Sequence, residues 1–342
     1  MTHITKPSLS LLDVVDLFNQ SKHVIPLCSS HHQFFASIPA KIPYLSGFEF
    51  HLSELNQPCD SLLCFLTRDL PGLSRYCSVH QAESTHLSQA YRAAQLLLQS
   101  PNLLCVTDHV WLEIDALPAQ SLSLFVGNHS NKQSQAERKS ILSACQTLTH
   151  QWISTLSSNP VPLFDFNRAL SDLFSIVPDW FIAEIGIMDR DSSKAHIKLL
   201  LNPPKSYSFL NFLDVYSQCF PNAFSSITQL KSSSLARVLD SFSCHCQLSI
   251  ALFQEHMIGA IEVLPNFDDH LIPQYDELFG SIFRSSSDLI GCPDLNTQLD
   301  CQTLFVDIKG LKFSSRMHHL KITPTKHGGW NPKVYRDLRS VD

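Results

Sequence analysis

The feature that most limits what this chain can fold into is a fivefold recurrence of two strand-like stretches, each pair followed by a longer stretch with helical spacing. The pairs occupy residues 47–55 and 61–68, 109–115 and 121–127, 180–188 and 194–202, 244–253 and 257–264, and 304–310 and 316–323. Their centres are separated by roughly 60 to 75 residues, too far apart for the hairpins of a propeller. In "HVWLEID", Val110, Leu112 and Ile114 share one face, while His109, Trp111, Glu113 and Asp115 share the other. "GFEFHLSEL" alternates in the same way, with Phe48, Phe50 and Leu52 against Glu49, His51 and Ser53. Between the pairs, Ile141, Cys145, Leu148, Trp152 and Leu156 fall on one helical stripe. Tyr275, Leu278, Phe279, Ile282 and Phe283 make another, opening at Pro273 in a favourable first-turn position.

Strands with one apolar face and helices with one apolar stripe bury both if the sheet closes on itself and the helices pack outside. The predicted fold is therefore α+β: a closed antiparallel ten-stranded β-barrel of five αββα repeats ringed by helices. It forms a single domain over residues 1–342, with a helical lead-in at 1–40 and a surface tail at 324–342. A barrel of about ten strands need not fill its centre with side chains and can enclose a ligand. The competing arrangement is a two-layer sheet with one face in water. Acidic residues recurring beside basic ones on the polar faces (Glu113, Asp115, Glu184, Glu262 and Asp307) favour the lumen.

Composition removes several function classes. A net charge of -6 without a lysine or arginine block offers no footprint for nucleic acid or an anionic membrane. No apolar run approaches the roughly 20 residues of a membrane span, and the N-terminus lacks signal-peptide order, so a cytoplasmic location is expected. No glycine-rich phosphate loop appears. The 11 cysteines are odd in number and mostly sit in apolar runs, which reads as reduced, buried thiols. In Cys244-His245-Cys246 a strand would put both thiols on one face and the imidazole on the other, which suits packing better than a shared metal. No protein metal site is expected.

"AHIKLLLNP" (195–203) and "HHLKITP" (318–324) repeat one alternation of histidine, aliphatic, lysine and aliphatic, so His196 with Lys198 and His319 with Lys321 should face the lumen. Together with the recurring helix–strand–strand–helix unit over about 40 to 323, this resembles the ABBA prenyltransferases, whose barrel encloses the active site. "IGIMDRDSSKAHIKL" (185–199) is also similar to a hairpin of the cyanobactin peptide prenyltransferases, with Met188 where that hairpin carries an aspartate.

The resemblance implies transfer of a prenyl group from a soluble allylic diphosphate to a peptide side chain or small aromatic acceptor. Lys198 and Lys321 would bind the diphosphate, with His196, His319, Lys194, Lys309 and Arg190 nearby. Trp111, Phe125, Phe253 and Phe305 would shield the allyl cation through their ring faces. Glu113, with Glu49 in reserve, would take the acceptor's proton. "FDDHLIPQYDEL" has the wrong spacing for an aspartate-rich magnesium helix, but magnesium bridging a carboxylate and the diphosphate stays open as a cofactor. Two other readings compete: a non-catalytic barrel that binds a peptide or anionic metabolite as partner of a biosynthetic enzyme, and a scaffold without a lumen.

Overall fold

A computed structural model describes residues 9–21, 24–52, 57–104, 107–116, 122–127, 133–156, 166–188, 196–204, 207–242, 244–252, 257–265, 272–290, 302–308, 310–325 and 329–341. Helices α1 (Leu11–Gln20) and α2 (Ser29–Ser37) lead into the first hairpin, β1 (Leu45–His51) and β2 (Asp60–Leu66). Then follow α3 (Leu70–His80), α4 (Thr85–Leu98), α5 (Pro101–Leu104), β3 (His109–Ile114) and β4 (Leu122–Gly127). Helices α6 (Gln135–Leu156) and α7 (Phe166–Ile176) precede β5 (Phe181–Met188) and β6 (His196–Asn202). Helices α8 (Phe209–Cys219), α9 (Phe224–Ser232) and α10 (Ser234–Ser241) precede β7 (Cys244–Leu252) and β8 (Met257–Pro265). The chain ends with α11 (Ile272–Ile290), β9 (Leu304–Ile308), β10 (Leu311–Pro324) and β11 (Trp330–Ser340).

The helices start where the sequence supplies caps. Ser10 and Asp13 form a reciprocal capping box on α1, and Ser84, Ser208 and Ser233 accept backbone N–H groups at the starts of α4, α8 and α10. Each cap satisfies a donor the first turn would otherwise leave exposed.

Every strand pair is antiparallel, and β11 hydrogen-bonds to both β1 and β10, so β1 to β8, β10 and β11 close a ten-stranded barrel. This is the fold class expected from the sequence, with one change of membership. β9 and β10 do pair, from Leu311↔Ile308 to Ser315↔Leu304, but β9 is an appendage on the edge of β10 and not part of the wall. The wall is completed by the segment expected to be a surface tail. Its strand β11 matches Phe48 with Arg336 on one side and Leu320 with Val334 on the other, and its Trp330 indole donates to the Ser226 carbonyl at 2.9 Å.

Outward-facing residues of the wall pack beneath the helices in one core. Phe48, Leu63, Val110, Leu112, Ile187, Ile197, Leu199, Ile250, Ile261, Leu320 and Val334 belong to it, as do Leu278, Phe279, Ile282 and Phe283 of α11. Each strand of such a barrel contributes alternate residues to this core and to the lumen. Of the α6 stripe, Ile141 is buried, while the side chains of Cys145, Leu148, Trp152 and Leu156 lie outside the described residues, as does that of Tyr275. No described helix is long and apolar enough to cross a membrane.

Candidate active site in the barrel lumen

The lumen holds a cavity of about 570 Å3. Tyr44, Leu66, His109, Phe181, His245 and Leu264 line it towards the end where the helical connections attach. Deeper in, its wall is formed by Trp111, Phe125, Lys198, Glu262, His319 and Tyr335. Towards the hairpin end the inward positions are taken by Glu49, Glu113, Lys321 and Lys333, which do not line the cavity. The chamber thus has an aromatic upper part, with His109 and Glu184 in its wall, over a charged floor.

Glu262 organises that floor. Its Oε1 lies 3.6 Å from Lys198 Nζ and 3.4 Å from Lys321 Nζ, and its Oε2 lies 3.9 Å from His319 Nε2. Burial alone would raise the carboxyl's pKa, but the two ammonium groups, His319 and a hydrogen bond with Ser249 outweigh it and hold the value near about 2. One carboxylate therefore serves two lysines. Burial works against the Lys198 ammonium, yet Glu262, Glu113 and Glu49 push its pKa above the ordinary lysine value. Lys321 goes the other way, down to about 7, through burial and the repulsion of Lys198.

Beside this trio, Glu49 accepts hydrogen bonds from the Tyr335 hydroxyl and from Lys333 Nζ. The Tyr335 ring stacks on His319 at 3.8 Å and 16°. Burial and the surrounding carboxylates raise the Tyr335 pKa well above 10, so it stays a donor. Burial lowers the His319 pKa to about 4, and the His318 pKa falls well below its ordinary value for the same reason. Both imidazoles are neutral at pH 7, with their Nδ1 atoms 2.8 Å apart.

Two glycines make room for rings in the lumen. Lys198 Nζ sits 5.2 Å from the centroid of the Phe125 ring, within the range of a cation–π contact. Phe125 lies flat over Gly186, where an added Cβ would come within 2.2 Å of the ring. A Cβ on Gly127 would likewise fall 2.0 Å from the His109 ring. Each ring is the cross-strand partner of its glycine, so the pairing is built into the register of β3 to β5.

Lys198, His319, Trp111 and Phe125 therefore line one walled chamber, and Lys321 stands just beneath it, tied to the same Glu262. Glu113 is buried on the lumen side of β3 and Glu49 on that of β1, both below the cavity. Phe305 does not join them. It is 58% exposed, because β9 lies outside the barrel closure and its faces no longer follow the register of the wall; Asp307 is exposed for the same reason. Lys194, Lys309, Arg190 and Phe253 lie outside the described residues, as does the side chain of His196 on β6. Sequence reasoning missed Tyr335 and placed Lys333 only in a tail that could bring charge to one mouth of the barrel, although "NPKVYRD" sets Lys333, Tyr335 and Asp337 at alternate positions.

For a metal, the donor atoms of Asp60, Glu113 and Asp115 lie within 4.8 Å of one another, and so do those of Glu49, His51 and Asp60. The three-carboxylate group offers the hard oxygen donors that magnesium takes.

Neither a family model nor a curated protein matches the chain. Among solved structures, the crystal structure of AnaPT from Neosartorya fischeri aligns over 86% of this chain and 77% of its own, with a TM-score of 0.44 and 12% identity. A likeness this slight bears on neither family nor activity. The closed barrel rests on the strand pairing of the chain itself.

Proposed function

We propose that the lumen transfers a prenyl group from a soluble allylic diphosphate to an electron-rich acceptor, a peptide side chain or a small aromatic molecule, held in the same chamber. One observation carries the reading. Lys198 stands at the inner end of a closed, aromatic-walled cavity with its ammonium between the Phe125 ring and Glu262, and Lys321 is tied to the same carboxylate.

In this reading Lys198 takes the diphosphate, and Lys321, just below the cavity on the same Glu262, adds its charge to the site. An ammonium bound to phosphate oxygen makes a short, charge-assisted contact that gains when water is excluded. Burial and Lys198 press the Lys321 pKa down, so an arriving anion favours a proton on Lys321 and the site gains positive charge as it is filled. Trp111 and Phe125 present ring faces to the allyl cation formed when the carbon–oxygen bond breaks. Tyr335, held as a donor by Glu49, limits where the leaving group can turn. Asp60, Glu113 and Asp115 are the residues that would hold magnesium, but none of them lines the cavity, so the diphosphate falls to Lys198 and not to a metal there. A cavity of about 570 Å3 lies within the range of small-molecule sites.

Incubation with dimethylallyl or geranyl diphosphate and a panel of aromatic amino acids, peptides and phenols should release pyrophosphate only when an acceptor is present. The acceptor should gain one prenyl mass. Pyrophosphate binding without turnover across the panel would favour the non-catalytic barrel. Full activity in Lys198→Ala would remove the basis of the reading.

A further inference from the structure

The bond-forming step proposed above must dispose of one acceptor proton, and the carboxylates that sequence reasoning nominated are badly placed for it. Glu49 is engaged by Tyr335 and Lys333, and neither Glu49 nor Glu113 lines the cavity. A different carboxylate does. Glu184 on β5 faces the cavity beside Ala183, because a β-bulge between Ile182 and Glu184 turns consecutive side chains inward. Bulges of this kind re-aim side chains next to active sites.

Glu184 is also the inner end of a line of groups leading to solvent. Its Oε1 lies 3.3 Å from His109 Nε2, and His109 Nδ1 lies 2.5 Å from Asp108 Oδ1. The His109 side chain between them is 7% exposed, while Glu184, which opens onto the cavity, is 24% exposed and Asp108, at the outer end, 43%. Gly127 lies directly across from His109, and the ring meets Trp111 edge-on at 6.4 Å, so the imidazole is fixed in this line.

We infer that Glu184, His109 and Asp108 form a proton exit from the lumen: Glu184 is the catalytic base for the acceptor, and His109 and Asp108 carry its proton to solvent. This rests on the prenyl-transfer reading. In the step itself the allylic carbon–oxygen bond breaks and its electron pair leaves with the diphosphate. The acceptor's electrons bond to the allylic carbon, and the acceptor's proton passes to Glu184.

Electrostatics then move the proton on. Burial works against the charged imidazole, but the hydrogen bonds and charges of Glu184 and Asp108 outweigh it and raise the His109 pKa above its ordinary value. Protonating Glu184 removes one of the two charges that hold the imidazolium. The imidazolium then releases its Nδ1 proton through Asp108, so one proton has entered at Glu184 and one has left for solvent; the line resets when the remaining ring proton moves to Nδ1 and Glu184 passes its own to the vacated Nε2. Among the described residues, three strands adjoin this relay. Cys64 on β2 feels both carboxylates and is kept a thiol by burial, β4 contributes only Gly127, and Glu184 pairs across β6 with uncharged Leu200. Lys198 lies two residues before Leu200 on the same strand.

The experiment compares wild type with Glu184→Gln and Asp108→Asn in three measurements: prenyl transfer, binding of an S-thiolodiphosphate donor analogue, and NMR titration of the His109 ring. Glu184→Gln is expected to cut kcat by at least about a hundredfold, the usual lower bound for a lost general base. Analogue affinity should stay within about twofold, since the Lys198 site is untouched, and the His109 pKa should fall. Asp108→Asn should lower that pKa and make turnover depend on added small buffers that can collect the proton. If wild type transfers prenyl groups and Glu184→Gln keeps its kcat, the relay is wrong and the function stands. If wild type transfers nothing to any acceptor, the function fails and the relay with it. Should Glu184→Gln lose analogue binding through misfolding, the exposed Asp108→Asn decides: an unshifted His109 pKa with unchanged turnover overturns the relay.

Discussion

Replacing Lys321 by methionine should make this protein more stable at neutral pH while removing a ligand of its anion site. The side chain is 14% exposed, shares Glu262 with Lys198, and has its pKa pressed from 10.5 to about 7. Because the unfolded chain keeps the ordinary value, the folded state holds Lys321 at a cost. The cost is fully present below pH 7 and is relieved as pH rises from 7 to 10.5, where the folded lysine has lost its proton and the unfolded one has not. At about 1.4 kcal/mol per pKa unit, the difference is on the order of 4 kcal/mol at neutral pH. Methionine matches the lysine stem in shape and leaves the Lys198–Glu262 pair at 3.6 Å intact. Glu262 loses one of two ammonium neighbours, and each partly buried contact of that kind offsets a few kcal/mol at most. A net gain of about 1 to 3 kcal/mol is expected at pH 7, shrinking towards zero by pH 10. Urea denaturation of both proteins at pH 6, 7, 8.5 and 10 reads it directly. A loss of more than about 1 kcal/mol at pH 7, or a gain that does not shrink with pH, would show that Lys321 is not held against its own charge.

Gly186→Ala places a Cβ against the Phe125 ring, so the ring must leave its position under Lys198. The expected cost is about 1 to 3 kcal/mol of stability with a larger loss of transfer activity, measured by thermal unfolding and product formation; an unaltered Tm would contradict the packing. Truncation after Pro324 removes β11 and leaves the facing edges of β1 and β10 without partners. That protein should fail to fold or should aggregate, by circular dichroism and size-exclusion chromatography, whereas a dispensable tail would leave a monodisperse barrel.

How much of this was legible depends on how local the signal is. β3 could be read because Val110, Leu112 and Ile114 meet the helices while His109, Trp111 and Glu113 face the lumen, a strict period of two. The same logic found Lys198 and Lys321. It failed at β11, where Pro332 interrupts the pattern and the charged Arg336, buried in the wall and donating to Ser315, falls where an apolar residue would be expected. Its hairpin with β10 is local, but the pairing that makes it a strand of the wall is with β1, nearly the whole chain away. Phe305 was misassigned because β9 alternates like a wall strand while its only pairing is with β10. The bulge at Met317/His319 shifts the register by one, bringing His318 to the cavity beside His319. Glu262 was visible as an inward acid. That it stands between both lysines is a consequence of the pairing of β8 with β10, which sets Lys321 opposite Glu262.

The claim on which the function depends is that Lys198 and Lys321 jointly receive an anionic leaving group inside the barrel. Isothermal titration of dimethylallyl S-thiolodiphosphate at pH 7.5, run in two buffers of different ionisation enthalpy, tests it most directly. A single site is expected, with a fraction of a proton taken up on binding and affinity reduced at least about tenfold in Lys198→Ala, consistent with loss of one charge-assisted contact. Absence of binding, or binding that Lys198→Ala leaves unchanged, would contradict it.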